Sequence, residues 1–288
     1  MNEYVMFTDS ACDIKPELLK SWGVECIDLS FRFDGENREY FNSDMEITDF
    51  YNAMRAGSTA KTSAVNPERF TAAFERILKQ GKDLLYLGFS SGLSATCNSA
   101  RIAAQELMEQ YPERKLLIVD SLAASAGQGL LLYLALQKKN KGATIEEVSA
   151  YAEGLKLNIC HWFTVDDLVY LKRGGRISPT VALVGKALGI KPILHVDNDG
   201  KLISVTKVRG RKASIAALAD KCCTTAEDPK NSEIFISHGD CPEDANALAD
   251  LIAQKTGAKV SIITHVGTVI GAHSGPGTLA LFFVGKER

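Results

Sequence analysis

The chain has 288 residues, 45% of them hydrophobic and 24% charged, with 8 Pro and 23 Gly. That length supplies one large domain or two modest ones with enough buried surface to need no disulfide or metal staple, which excludes collagen-like, disordered and small cystine-stapled classes. Lys+Arg 33 against Asp+Glu 35 leaves a net charge of −2, and the basic residues are scattered, so the basic stripe of a nucleic-acid binder is missing.

In chain order, Tyr4 to Thr8 reads as a buried strand. Asp13 starts a short helix, with Pro16 in its first turn and Gly23 beyond its end. Val24 to Phe33 alternates like a strand before an Asp34-Gly35 turn, and Ile47 to Arg55 is helical. Ser58 to Asn66 is polar and irregular, and Pro67 opens a helix to Lys79 with Phe70, Ala73, Phe74 and Ile77 at helical spacing. Asp83 to Phe89 suits a strand buried on both faces, feeding a serine loop and a helix from Ala95 to Tyr111. A strand over Lys115 to Val119 and helices over Leu122 to Lys139 and Thr144 to Asn158 complete a βαβ pattern.

The second half reads as a strand at Cys160 to Val165, a short helix at Leu168 to Lys172 and a helix at Pro179 to Ala187. A hairpin comes next, Lys191 to Val196 and Leu202 to Val208 around Asn198-Asp199-Gly200. Helices over Ala213 to Thr225 and Pro242 to Thr256 alternate with strands over Glu233 to Ser237 and Lys259 to Ile263. Gly267 to Gly277 reads as a glycine-rich loop before a last strand, Leu279 to Val284. The expected architecture is α/β: two α/β domains with mainly parallel sheets, residues 1–158 and 159–288, and a ligand site in the cleft between them.

Seven cysteines, an odd count without a C-x-x-C, read as reduced thiols of a cytoplasmic protein. His238 and Cys241 form a lone H-x-x-C with no second half, so no metal site is expected. The N-terminus lacks the pattern of a signal peptide, and Leu130 to Leu136 falls far short of the ~20 residues that span a bilayer. Neither a Walker A loop nor a strand–GxGxxG–helix fingerprint occurs, so no nucleotide cofactor is expected.

Two readings compete for the serine loop. Gly88-Phe89-Ser90-Ser91-Gly92 matches the G-x-S-x-G elbow of serine esterases, for which Asp240 and His273 could be drafted. Against it, Gly92-Leu93-Ser94 intervenes before the helix, whereas an elbow's helix starts at the nucleophile. The alternative is an anion site: Ser94 precedes a helix whose first N–H groups are unpaired and whose end carries partial positive charge. Ser94 either adds a donor to that site or only caps its own helix. Lys61-Thr62-Ser63 offers a second hydroxyl pair, and His273 lies in a loop whose glycines permit close approach to a ligand. The basic turns at Lys172 to Arg176 and Arg209 to Lys212 either hold a phosphate or are simply exposed.

Together these segments resemble the DegV family of bacterial lipid-binding proteins. Thr8-Asp9-Ser10 with Asp13-Ile14, Phe33-Asp34-Gly35 with Tyr40, and Lys61-Thr62-Ser63 carry the resemblance in the first half, with Ser90-Ser91-Gly92-Leu93-Ser94 and Ser99-Ala100. Lys172 to Ser178, Gly189 to Leu194, Arg209 to Lys212 and His273 to Gly277 carry it in the second. The resemblance implies a long-chain fatty acid such as palmitate, stearate or oleate, its tail in an apolar tunnel and its carboxylate held by Thr62 and Ser94. Ser63, Ser91, Ala95 and His273 would lie near the head group. It further implies no catalysis by this chain, no cofactor, and a transient fatty acid kinase subunit that makes acyl phosphate, with Arg209 toward the phosphate or that partner. The chain departs from the family pattern at Ala64-Val65-Asn66 and at Ala95-Thr96-Cys97-Asn98, where the hydroxyl-bearing positions nevertheless persist.

Overall fold

The computed structural model describes residues 3–178 and 189–288. The helix expected over 179–187 lies outside the described residues. The first half begins with β1 (Tyr4–Asp9), α1 (Pro16–Ser21), β2 (Val24–Ile27), β3 (Ser30–Phe33), β4 (Tyr40–Phe41), α2 (Ile47–Arg55) and β5 (Ala60–Ser63). It continues with α3 (Pro67–Leu78), β6 (Asp83–Gly88), α4 (Thr96–Gln110), β7 (Leu116–Asp120), α5 (Ala126–Asn140) and α6 (Ile145–Leu155). The second half contains β8 (Ile159–Thr164), α7 (Val169–Arg173), β9 (Ile190–Val196) and β10 (Leu202–Arg209). It ends with α8 (Arg211–Thr225), β11 (Phe235–His238), α9 (Pro242–Thr256), β12 (Ile262–His265), α10 (Thr268–Ser274) and β13 (Leu279–Val284).

A parallel sheet of order β2-β1-β6-β7 forms the first half. Period-two alternation on β6 sends Leu84 and Tyr86 into the core with α3 and α4, and Leu85 and Leu87 into the core with α5. Every residue of β6 is therefore buried.

The second sheet, β10-β9-β8-β13-β11-β12, differs from the mainly parallel expectation. Only β11 and β12 pair in parallel; the other four pairs are antiparallel. Two causes are visible. The β9–β10 hairpin makes its own antiparallel pair, and β13 inserts between β8 and β11 in the reverse sense. Leu218, Ala219, Leu248 and Ile252 of α8 and α9 cover one face of this sheet. Its other face, with Phe163, Ala280 and Phe282, shares a core with α5.

The helix α5 thus lies between the two sheets. This explains why Leu130, Leu131 and Leu132, which point around the helix, are all fully buried. Its start differs from the expected Leu122: residues 121–125 form a loop in which Leu122 and Ser125 take positive φ, 49° and 54°. The Asp120 carboxylate accepts the Leu122 N–H and the Ser121 hydroxyl accepts the Ala123 N–H, which pins that loop against helix formation.

A small antiparallel sheet, β4-β3-β5, takes the second half of the expected Val24–Phe33 strand, which breaks at Asp28-Leu29. The segment expected to be irregular supplies its β5 edge. Likewise the expected glycine-rich loop contains α10, flanked by Gly267 in extended conformation and Gly275 at φ 80°. The two glycines end the helix rather than abolish it.

Candidate functional site

A cavity of about 280 Å³ opens where the first half meets the second sheet. Its walls are chiefly apolar: Phe89 and Leu93 from the serine loop, Val269 and Ile270 from α10, Phe163 and Phe282 from the sheet. Its polar groups include a cluster drawn from four separate segments.

Thr62 owes its place to β5. The register Phe31↔Thr62 and the strand's alternation leave Lys61 and Ser63 exposed and turn Thr62 inward, while Ser63 and Ala64 continue along the rim. Its Oγ1 lies 2.7 Å from His273 Nε2, at the last turn of α10. Burial, reinforced by the positive charge of Arg176, holds the His273 pKa down to about 4, so the ring is neutral near pH 7. Gly174 permits this placement, because a Cβ there would stand 2.1 Å from His273 Nδ1.

The serine loop is fixed from beneath. Buried Asp9 accepts the Phe89 N–H at 2.9 Å, and Asp120 accepts the Ser91 N–H at 3.2 Å. The α4 helix starts at Thr96, and the Ser94 hydroxyl accepts the Thr96 N–H at 3.2 Å while lying 2.9 Å from the Thr96 hydroxyl. Ser94 therefore caps the first turn and lines the cavity at once.

The cation is Arg176. Its Nε and Nη2 both donate to the Leu93 carbonyl, at 3.2 and 2.9 Å, and Nη1 donates to Gly174 O at 2.5 Å. Among the described residues it makes no ion pair. Desolvation lowers its pKa from the ordinary value without removing its charge near neutrality. A guanidinium turned to a cavity wall without a carboxylate partner suits an anionic ligand.

Thr62, Ser63, Ser94, Ala95 and His273 all line this cavity. Two expected residues do not. Ser91 is exposed and contributes its backbone N–H to Asp120, and Arg209 is exposed at the end of β10, the outer strand of its sheet. Arg176, read in the sequence only as part of a basic turn able to hold a phosphate, lines the cavity as well. The signal for its place was Gly174 beside it, whose missing side chain lets that turn lie against His273.

The esterase arrangement is not formed. The Ser90 hydroxyl is buried and donates to Gly200 O at 2.8 Å, His273 is engaged by Thr62, and Asp240 pairs with Arg55. Among the described residues no group of His, Cys, Asp and Glu could hold a metal, and no helix is long and apolar enough to cross a membrane. His238 Nδ1 accepts the backbone N–H of Cys241.

Known proteins share this architecture. A DegV domain-containing protein of Clostridium perfringens is 46% identical, over 100% of this chain and 99% of its own. Among solved structures, a DegV family protein of Thermus thermophilus, described by its fatty acid binding, superposes with a TM-score of 0.88 at 28% identity, covering 99% of this chain and 100% of that one. A Thermotoga maritima protein, described as revealing a fatty acid binding function, gives 0.85 at 29% identity over 99% of this chain and 100% of that one. The family described as "Uncharacterised protein, DegV family" matches residues 4–286, a span that takes in every element building the cavity, and the chain belongs to the DegV family.

Proposed function

We propose that this protein binds a long-chain fatty acid such as palmitate, stearate or oleate. In this reading the tail fills the apolar cavity and the carboxylate meets Thr62, Ser94, His273 and Arg176. The observation that carries it is an apolar cavity whose polar cluster holds a guanidinium without an ion pair among the described residues. Relatives above one quarter identity described as fatty-acid-binding support it, including one from Bacillus subtilis at 26%. Burying ~14 methylenes at about 0.8 kcal/mol each gives ~11 kcal/mol gross, immobilisation removes several, and head-group hydrogen bonds at roughly 1.5–3 kcal/mol each restore enough for sub-micromolar affinity. An ionised carboxylate enters such a cavity only against donors, and the hydroxyls and the guanidinium supply them.

The chain itself is a carrier rather than a catalyst in this proposal. Residues 1–158 and 159–288 act as its two domains, and a transient kinase partner phosphorylates the presented carboxylate. Exposed Arg209 stands outside the cavity, as a partner or phosphate contact must. Arg209→Ala should slow acyl phosphate formation by that partner and leave fatty acid uptake unchanged; loss of the lipid instead would assign Arg209 to binding.

Native mass spectrometry of protein purified from a bacterial host tests the central claim. A co-purified mass of ~250–285 Da, that of C16–C18 acids able to fill such a site, is expected. Protein that carries no such mass and takes up none from added oleate would remove the reading.

A further inference from the structure

Ser90 is fully buried, yet its hydroxyl is neither idle nor reactive. It donates across the two halves to Gly200 O at 2.8 Å, and it accepts the Gly92 N–H at 3.1 Å. Gly200 belongs to the turn between β9 and β10, which itself is closed by the Gly200 N–H to Asp197 O. The fit between loop and turn is close on both sides. A Cβ on Gly200 would stand 2.1 Å from Ser90 Oγ, and a Cβ on Gly92 would stand 2.5 Å from Asp199 O.

The residues just after Ser90 build the polar end of the cavity. The Leu93 and Ser94 N–H groups both turn back to Ser90 O, at 3.0 and 3.1 Å. Leu93 then offers its carbonyl to both donors of Arg176, and Ser94 faces the cavity. Leu93, Arg176 and Leu202 also line a second depression outside the cavity, together with Gly92 and Lys201, so the turn, the loop and the guanidinium share one edge.

We propose that Ser90 is a positioning residue for the ligand's head group: its hydroxyl latches the 91–95 loop to the β9–β10 turn and so sets Ser94 and the carbonyl that aims Arg176. The inference rests on the proposed fatty acid binding. Ser90 touches no ligand in it and acts only through Gly92, Leu93 and Ser94. The latched segments give the apolar wall chiefly Leu93 and Leu202 but set Ser94 and the Arg176 tie, so the latch bears more on discrimination between an anionic and a neutral head than on burial of the tail.

Isothermal titration with dodecanoate and with 1-dodecanol separates the two effects, because the pair share a tail and differ in head charge. The wild-type protein is expected to prefer the carboxylate. In Ser90→Ala the dodecanoate affinity should fall by roughly 10-fold more than the dodecanol affinity, the scale of one hydrogen bond to a charged group. Ser90→Cys, with a similar shape and a weaker donor, should fall between them, and it reads the same ratio if the alanine variant does not fold. An unchanged carboxylate-to-alcohol ratio in the variants, whatever their melting temperature, overturns the latch. A wild-type protein that takes up neither compound overturns the fatty acid reading instead.

Discussion

In the proposed site Thr62 and Ser94 would offer the same chemistry from unrelated positions, one on a strand edge and one at a helix start. Hydroxyls serve at such a place because they donate to an anion when it is present and satisfy one another or a neighbour when it is not. Thr62 turns to His273, and Ser94 to Thr96. The charge must come from elsewhere, since His273 is neutral above about pH 4. Arg176 supplies it. Losing one hydrogen bond to a charged group costs roughly 1.5–3 kcal/mol, so Thr62→Ala and Ser94→Ala should each weaken fatty acid binding by about 10- to 150-fold. Because both donors address one anion, the double variant should fall short of the product of the singles. Ser94→Ala should in addition lower folding stability by about 1 kcal/mol through its lost cap, whereas Thr62→Ala has no cap to lose. Titration of a fluorescent fatty acid into the three variants, with their melting curves, checks both points; intact binding with lowered stability in Ser94→Ala would leave Ser94 with its capping role alone.

At the scale of elements, legibility tracked how local the determining interactions are. The β6 strand and the α3 helix were readable because a buried run and a helical apolar stripe are written in adjacent residues. The β5 strand was not: Ala60 to Ser63 is polar, with exposed residues alternating, and becomes a strand because β3 pairs with it. The helix α10 was hidden by the glycines around it, although Val269, Ile270 and Ala272 already mark an apolar face. The direction of the second sheet depends on where β13 inserts, a long-range choice that no local pattern records. The candidate site divides in the same way. Thr62, Ser94 and His273 stand in motifs that a family resemblance picks out. The inward turn of Arg176 arises because Leu93 O and Gly174 O bracket its guanidinium, which only the folded chain shows.

At the scale of the whole molecule, the two halves meet on a buried carboxyl. Asp13, in a left-handed conformation at φ 52°, accepts the Ser125 hydroxyl at 2.5 Å, and Ser125 also lies 2.8 Å from the Ser237 hydroxyl of β11. Thr264 of β12 donates to the Asp13 carbonyl. Burial raises the Asp13 carboxyl to about 7, with the Asp9 charge as a smaller contribution and the Ser125 bond opposing it. An acid whose folded pKa exceeds its unfolded value of 3.8 binds more protons in the native state between the two. Stability from this group is therefore full near pH 4 and declines as pH rises toward 7. The buried histidines act in the opposite sense: His273 and His238, both lowered to about 4, withdraw stability as pH falls below 6.5. Wild type alone would mix these trends, but the difference between wild type and Asp13→Asn cancels the histidines. Asparagine keeps an acceptor for Ser125 without a charge to bury. The two proteins should unfold at similar denaturant midpoints near pH 4, and the asparagine variant should become progressively the more stable up to pH 8. Parallel curves across that range would show that Asp13 does not titrate there, and that the junction of the halves holds a permanently ionised carboxylate.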